Sequence, residues 1–459
     1  MPSTARFRLY TALCLALLAT SALGQAPEHT PCRIEATRFE GWQAEQLSNE
    51  WLRLTVVPQL GGRLMQVEFG GHAYLFVNPR YKGRYVPPSD PEARAGWINY
   101  GGDKIWPMPE GSQDEQHWPG PLSGPLDDGV YKLTVIAHKS TCKVRLIGPP
   151  DPQTGLQYTR EIGISSDDPE ISFHAEMRNT ASHPIRWSVQ SVTQYDLAAK
   201  SGTYNHQFWA FAPLNPHSAY LEGYHVRAGL ADDPSFSIKN GMFILHWLDL
   251  QNEVWLDSAA GWIALWDAAS GYAMVERFQY RGDAQYPGKA TVIFYKNGPA
   301  VEINQAGVAS LSSASPQRAP YYMEAEINSP VVELLPGETY AMDTEWYPAR
   351  LCSELQAMTH PAAIAQPVSA VATLRGLMLS GAFGVFFPGQ LVARLYDSRG
   401  LPTGNVRVQA VTPANFVSLH QEIAAPADTA RVSLHLLNEA GGDEGILGEA
   451  QVARGNNIR

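Results

Sequence analysis

From Trp51 the chain alternates: Leu52, Leu54 and Val56 can point one way while Arg53 and Thr55 point the other, the two-residue period of a half-buried strand. The pattern breaks at Gly61-Gly62, resumes from Arg63 to Phe69, turns at Gly70-Gly71 and returns from His72 to Val77. The second turn reads as a tight hairpin. Similar units recur at Tyr131 to Ala137, Glu170 to Arg178, Trp187 to Tyr195, Trp262 to Trp266, Tyr272 to Phe278, Ala290 to Tyr295 and Tyr321 to Ile327, with no comparable helical stripe. Such a chain buries its apolar faces by packing sheet on sheet. Composition agrees: 39 Gly and 34 Pro punctuate the 459 residues, while 12 Trp, 20 Tyr and 15 Phe favour strands. Charged residues make up only 17% and the formal net charge is −11. Those values exclude a disordered chain and disfavour nucleic acid and anionic membrane surfaces as partners.

Arg6 and Arg8 precede an apolar run from Leu9 to Ala19, and Ala22 and Gly24 stand three and one residues before Gln25. The arrangement predicts a signal peptide over residues 1–24 and an oxidising destination, periplasmic or secreted. The run is shorter than the roughly 20 residues that span a bilayer, so no membrane insertion is expected after cleavage. Cys14 leaves with the signal. Cys32, Cys142 and Cys352 then permit one internal disulfide, and pairing Cys32 with Cys352 would tie the ends of one domain together. Their wide spacing fits no structural zinc site, and no metal or cofactor is called for.

Two long connections, Tyr81 to Asp128 and Lys200 to Asp233, are rich in Trp, Tyr, His, Asn and Pro, a composition that suits functional loops. The stretch Pro361 to Pro367 reads as a linker, and beyond it Gln390 to Tyr396, Asn405 to Val411, Phe416 to Ile423 and Thr429 to Leu437 are short strands. The expected division is a large domain over 25–360, a linker over 361–369 and a small immunoglobulin- or fibronectin-like β-sandwich over 370–459. The small domain is expected to act as a spacer or to dock an envelope partner.

Familiar catalytic signatures are missing. Gly282 to Lys289 has one residue too many for a phosphate loop and is followed by Ala290, and no zinc-protease, nucleophile-elbow, dinucleotide or paired Cys-x-x-Cys motif occurs. The informative stretch is Trp97 to Pro107, which packs amide, phenol, carboxylate, ammonium and two indoles around Gly101-Gly102. Sugars ask for such groups, because their apolar faces stack on aromatics while their hydroxyls need paired donors and acceptors. The same residues also suit a buried loop with core tryptophans and a surface Asp103–Lys104 pair.

Gly61-Gly62-Arg63, Val77-Asn78-Pro79, Asn99 to Trp106, Pro213 to Ser218 and Leu335-Pro336-Gly337-Glu338 occur in this order. Together they resemble the galactose-mutarotase-like superfamily, and within it a family of exported bacterial proteins of unknown function, over roughly residues 40–350. The resemblance implies an all-β fold, a large antiparallel β-supersandwich, with carbohydrate bound on its concave face. It also implies a catalytic glutamate on a strand before the Leu-Pro-Gly-Glu turn, where Glu324 is the better match and Glu326 lies two residues on. On a strand these two share a face and could divide into an acid and a base, or be solvated charges. The epimerase pattern departs at two points. Tyr100 stands where a His-Gly-Gly element would carry histidine, and no histidine occurs from Trp187 to Tyr195.

The candidate catalytic residues are therefore Glu324, Glu326, His117 and Asp103, with Asp103 and Glu324 as the pair to measure for glycoside cleavage. His117 suits an acid or base near neutral pH and equally a hydrogen-bonded corner. Candidate binding residues are Arg63, Asn78, Asn99, Tyr100, Lys104, Trp106, Trp118, Gln194, His206, Trp209, Asn215 and Ser218. The expected function is sugar or glycan recognition, with aldose epimerisation, binding without catalysis and glycoside cleavage as the readings to separate.

Overall fold

The computed structural model describes residues 31–111, 117–137, 140–199, 201–303, 309–311 and 320–454. The expected signal peptide and Cys14 lie outside them. Among the described residues two large antiparallel sheets pack face to face and an eight-stranded C-terminal sheet follows. In the first, antiparallel strands run in the order Arg33–Phe39, Trp42–Ser48, Leu52–Val57, Arg63–Phe69, Asp103–Met108, Ile185–Asp196, Tyr322–Asn328, Val292–Lys296, Asn252–Leu256 and His225–Ala228. The second runs from Phe236–Lys239 through Met242–His246, Phe208–Pro213, Trp262–Asp267, Tyr272–Phe278, Thr339–Arg350, Ile171–Asn179, Leu156–Ser165 and Thr141–Ile147 to Lys132–Ala137. The chain is thus all-β, a large antiparallel supersandwich followed by a small sandwich.

Alternation explains the stacking. Val189, Met323, Ala325 and Ile327 of the first sheet meet Ala210, Leu265, Met274 and Trp346 of the second in one buried core. The neighbours Phe211, Ala264, Val275 and Tyr347 point to the opposite face of the second sheet, where they pack with Phe383, Phe386 and Phe387 of the C-terminal sandwich. Central strands of the second sheet are therefore apolar on both sides, and each fully buried large side chain contributes about 1.5–3 kcal/mol. The small domain is fused to the large one through a shared core.

This corrects the expected linker. Ala362–Ala372 is a strand that pairs antiparallel with Leu377–Val385, and Ala362, Ala363, Ile364 and Ala365 are buried. Its prolines mislead because proline is tolerated where the ladder is interrupted, and the pairing register shifts between Gln366 and Ser369, around Pro367. The sandwich is completed by Asp443–Ala453, which pairs antiparallel with Arg431–Leu437 and parallel with Ala362–Ala372.

The disulfide joins Cys32 to Cys142, not Cys32 to Cys352. It pins the strand at one edge of the first sheet to Thr141–Ile147 near one edge of the second. Cys352 lies just beyond the end of Thr339–Arg350, near Gly271. The two long connections are also more ordered than their composition suggests. They contain the short helix Pro91–Ala95 and the strands Asp103–Met108, Phe208–Pro213 and His225–Ala228. Every residue of Asp103–Met108 is buried, and no alternation of residue types marks it as a strand.

Candidate functional site

The first sheet carries a cleft on its face turned away from the second. Alternate residues of its central strands project there: Trp106 and Met108, then Gln190, then Tyr322, Glu324 and Glu326, then Ile293 and Tyr295, then Glu253 and Trp255. With Trp97, Glu110 and Arg227 they line this cleft of about 540 Å³, a size that suits a small ligand.

Glu324 and Glu326 stand two residues apart, about 6.6 Å along the strand, and their surroundings differ. Oε1 of Glu324 accepts from Gln194 Nε2 at 2.6 Å and from Lys104 Nζ at 3.3 Å. Oε2 of Glu326 accepts from Gln190 Nε2 at 2.5 Å. Burial, followed by the negative charges of Glu324, Glu253 and Glu110, pushes the Glu326 carboxyl well above the ordinary range. Burial, with Glu253 and Glu324, likewise raises Glu110 to about 8. One carboxylate is thus ion-paired and its neighbour favours its protonated form. Burial lowers the pKa of Lys104 while Glu324 opposes the shift.

Lys104 is held by more than charge. Its Nζ lies 4.3 Å from the Trp106 ring centroid and 5.3 Å from that of Trp97, within cation–π range. Both indoles are anchored by one carboxylate: Asp127 Oδ1 accepts from Trp106 Nε1 at 2.7 Å and Asp127 Oδ2 from Trp97 Nε1 at 2.8 Å. Arg63, fully buried, donates to the same Oδ1 at 2.7 Å. Arg63 is therefore a positioning residue beneath the aromatic wall, and Asp127 is the group the sequence reading missed.

The bend before this wall depends on two glycines. Gly101 and Gly102 adopt φ values of 95° and 73°, the left-handed region that glycine favours. A Cβ on Gly101 would lie 2.1 Å from the Phe76 carbonyl oxygen. Asn99 Oδ1 accepts from Gly101 N at 3.0 Å, and Asn78 Nδ2 donates to the Asn99 carbonyl at 2.8 Å.

Several expected site residues have other tasks. Asp103 faces the space between the sheets, where it is ion-paired with Arg160 and accepts from Thr193 Oγ1 at 3.1 Å. Alternation forces this, because adjacent Lys104 points to the cleft side of the sheet, so the Asp103 and Glu324 pair is not a catalytic one. Tyr100 is buried away from the cleft, its hydroxyl donating to the Val86 carbonyl and accepting from Val86 N. Asn78 caps a short 3-10 turn at Pro79–Tyr81, so Asn78 and Asn99 shape the bend and are absent from the cleft lining.

Trp118 is buried behind Trp106, with 5.1 Å between centroids. His117, half-buried beside it, is not among the residues lining the cleft. His206 and Trp209 belong to the second sheet's side, where Trp209 stacks on His246 at 4.5 Å and packs against the core shared with the small domain. Ser218 Oγ donates to Asp257 Oδ1 at 2.7 Å, and Asn215 Nδ2 to the Asp257 carbonyl at 3.1 Å. Both brace a loop, although Asn215 also borders an adjoining groove.

Of the expected residues, Glu324, Glu326 and Trp106 line the cleft, and Lys104 and Gln194 are buried behind Glu324, to which both donate. The structure adds Glu110, Gln190, Arg227, Glu253, Trp255, Tyr295 and Tyr322. The added strand residues share one signal: they stand on the same alternation phase as Glu324 in neighbouring strands. Among the described residues the Oε1 atom of Gln190, which lines the cleft, accepts no hydrogen bond, while Gln194 is fully buried behind Glu324. No group of three or more His, Cys, Asp and Glu side chains among the described residues is arranged to hold a metal ion.

Residues 43–348 match the family described as Domain of unknown function (DUF4380). Among solved structures, a TPR-domain containing protein from Parabacteroides distasonis aligns at 13% identity with a TM-score of 0.44, covering 70% of this chain and 49% of that one. The chain therefore spans about half the length of that protein. A galactose mutarotase-like protein from Clostridium acetobutylicum aligns at 10% identity with a TM-score of 0.44, covering 70% of this chain and 99% of that one. A galactose mutarotase related enzyme from Lactobacillus acidophilus aligns at 11% identity with a TM-score of 0.41, covering 68% and 99%.

Proposed function

The chain belongs to the DUF4380 family, and we propose that it is an exported carbohydrate-active protein that binds a sugar ring in the cleft and uses Glu324 and Glu326 as base and acid. The observation that carries this reading is the unequal setting of the two carboxyls on one strand face: Glu324 bonded to Lys104 and Gln194, Glu326 among other carboxylates. Aromatic walls from Trp97, Trp106, Trp255 and Tyr295 suit the apolar face of a sugar, and the unpaired Oε1 of Gln190 suits one of its hydroxyls. The Cys32–Cys142 disulfide accords with an oxidising compartment.

The reaction such a pair can perform is aldose epimerisation. Glu324 takes the proton of the anomeric hydroxyl while Glu326 donates one to the ring oxygen. The ring C–O electron pair passes to that oxygen, and the anomeric carbon becomes a carbonyl. Rotation and reclosure return both protons to their donors, so the pair resets without a co-reactant.

A second reading, glycan binding without turnover, is favoured by the absence of histidine among the described residues lining the cleft. One experiment separates the two. The mature protein, Glu324→Gln and Glu326→Gln are screened for mutarotation and hydrolysis over an aldose and oligosaccharide panel, with binding measured by calorimetry. Turnover by the parent, lost in both variants while binding persists, supports the acid–base reading. Binding without turnover in all three supports the second, and neither binding nor turnover overturns the carbohydrate reading for the panel.

A further inference from the structure

Beside the cleft lies a second groove of about 700 Å³, lined by Arg186, Asn215, Asp257, Tyr280, Tyr286 and Lys289, among others. The two depressions share a border. Met108 and Glu110 line the first and Pro109 the second. Trp255 of the first touches Gly288 of the second so closely that a Cβ on Gly288 would fall 2.0 Å from the indole Cζ3.

Their polar groups differ in kind. The cleft is lined by four carboxyls, Glu110, Glu253, Glu324 and Glu326, of which Glu110 and Glu326 favour the protonated form, and by Arg227. The groove carries Arg186 and Lys289, both exposed, against one carboxylate, Asp257. Asp257 is already engaged, accepting from Ser218 Oγ and Ala219 N at 2.7 Å each. Arg186 donates to Gln285 Oε1 at 2.6 Å, which leaves other guanidinium donors available, and Lys289 makes no ion pair among the described residues. Tyr280 and Tyr286 stack with centroids 5.8 Å apart and planes 14° apart, an aromatic surface beside the two cations.

The backbone supplies an independent sign. Lys289 holds φ at 74°, a conformation that is strained for a side chain of this kind and that glycine would adopt freely. Strain of this sort collects at binding sites. The preceding Gly288 also has positive φ, at 54°, so the turn presents Lys289 on a doubly left-handed backbone.

We propose that the groove is a second saccharide subsite for an anionic substituent, a carboxylate or a sulfate ester, on a sugar unit adjoining the one in the cleft. The proposal rests on the sugar reading of the cleft and narrows its ligand to an acidic oligosaccharide. Arg186 and Lys289 hold the anion, and the Tyr280–Tyr286 pair carries the ring.

The test uses the full chain and three probes of equal length: a galacturonic acid trimer, a neutral galactose trimer and a 6-sulfated galactose trimer. Calorimetry at low salt is expected to give at least tenfold tighter binding to one acidic trimer than to the neutral one, and the preferred probe tells carboxylate from sulfate. Arg186→Gln and Lys289→Gly are expected to abolish that preference without changing monosaccharide binding. Lys289→Gly keeps the left-handed turn, which glycine adopts freely, so an unchanged or raised thermal midpoint shows that a lost preference is not a lost fold. Equal binding of all three trimers, or a preference that survives both substitutions, overturns the subsite while leaving the cleft's reading intact. Failure of every saccharide, monosaccharides included, overturns both.

Discussion

Lys104 and Glu324 are 220 residues apart in the chain, yet Nζ of one lies 3.3 Å from Oε1 of the other at the cleft floor. Lys104 is 1% exposed and Glu324 6%. The pair exists because the Asp103–Met108 and Tyr322–Asn328 strands flank Ile185–Asp196 in one sheet, with both side chains on the same alternation phase. A buried pair of this kind is costly to break from one side, because the remaining charge has lost its water.

Lys104→Met is accordingly expected to lower the unfolding free energy by about 3–5 kcal/mol. Adding Glu324→Gln to it should restore much of that loss, since neither charge then stands alone. Urea titration of the parent, both single variants and the double variant measures the coupling. Additive losses would show that the two side chains do not interact.

Glu276 gives a pH dependence with a definite sign. It is fully buried between the sheets, where Tyr195 donates to its Oε1 at 2.5 Å. Burial raises its pKa to about 8 against an ordinary 4.5. The folded protein therefore holds a proton that the unfolded chain releases, so its stabilising effect is full below pH 4.5 and is lost as pH rises to about 8. Glu276→Gln, which copies the neutral form, should flatten the stability profile over that window by up to about 1.4 kcal/mol per pH unit. Unfolding curves at half-unit intervals check it.

Asp127 joins Arg63, Trp97 and Trp106 through hydrogen bonds of 2.7–2.8 Å. Asp127→Asn leaves the Arg63 guanidinium buried without a counter-charge, and a loss of about 3–5 kcal/mol is expected. The two indoles should lose their fixed orientation, weakening sugar binding roughly tenfold, about 1.4 kcal/mol. Intrinsic tryptophan fluorescence and ligand titration report the two effects separately.

Gly288→Ala introduces a methyl group against the Trp255 ring, which its own bond to Glu253 Oε1 at 2.5 Å prevents from yielding freely. Overpacking of this sort costs about 1–3 kcal/mol. The variant should bind oligosaccharides less well than the parent even where single sugars bind normally, because the border between cleft and groove has moved.

Much of the fold was legible because residue types alternate along its strands even where both faces are buried. In Tyr322–Asn328, every residue of which is buried, Met323, Ala325 and Ile327 alternate with Tyr322, Glu324 and Glu326, which set Glu324 and Glu326 on one face. Alternation failed for Asp103–Met108, where two charged residues are followed by Ile105 and Trp106, so nothing in the sequence showed that Asp103 faces away from the side of Lys104. Proline at 361 and 367 suggested a linker where a strand runs, because composition does not register a pairing interruption. Glu253 and Trp255 were missed for a different reason. Nothing local marks them, and they reach the cleft only through the order in which the Asn252–Leu256, Val292–Lys296 and Tyr322–Asn328 strands pair.

The core shared by the second sheet and the C-terminal sandwich fixes a direction as well as an attachment. The cleft opens on the outer face of the first sheet, and the small sandwich covers the outer face of the second. Any surface that captures this molecule by its C-terminal layer would hold the cleft turned outward, toward whatever diffuses past. A chain cut before Ala362 would instead bare Phe211, Ala264, Val275 and Tyr347 to water, so shortening the protein should trade a particle that presents its cleft for an adhesive one.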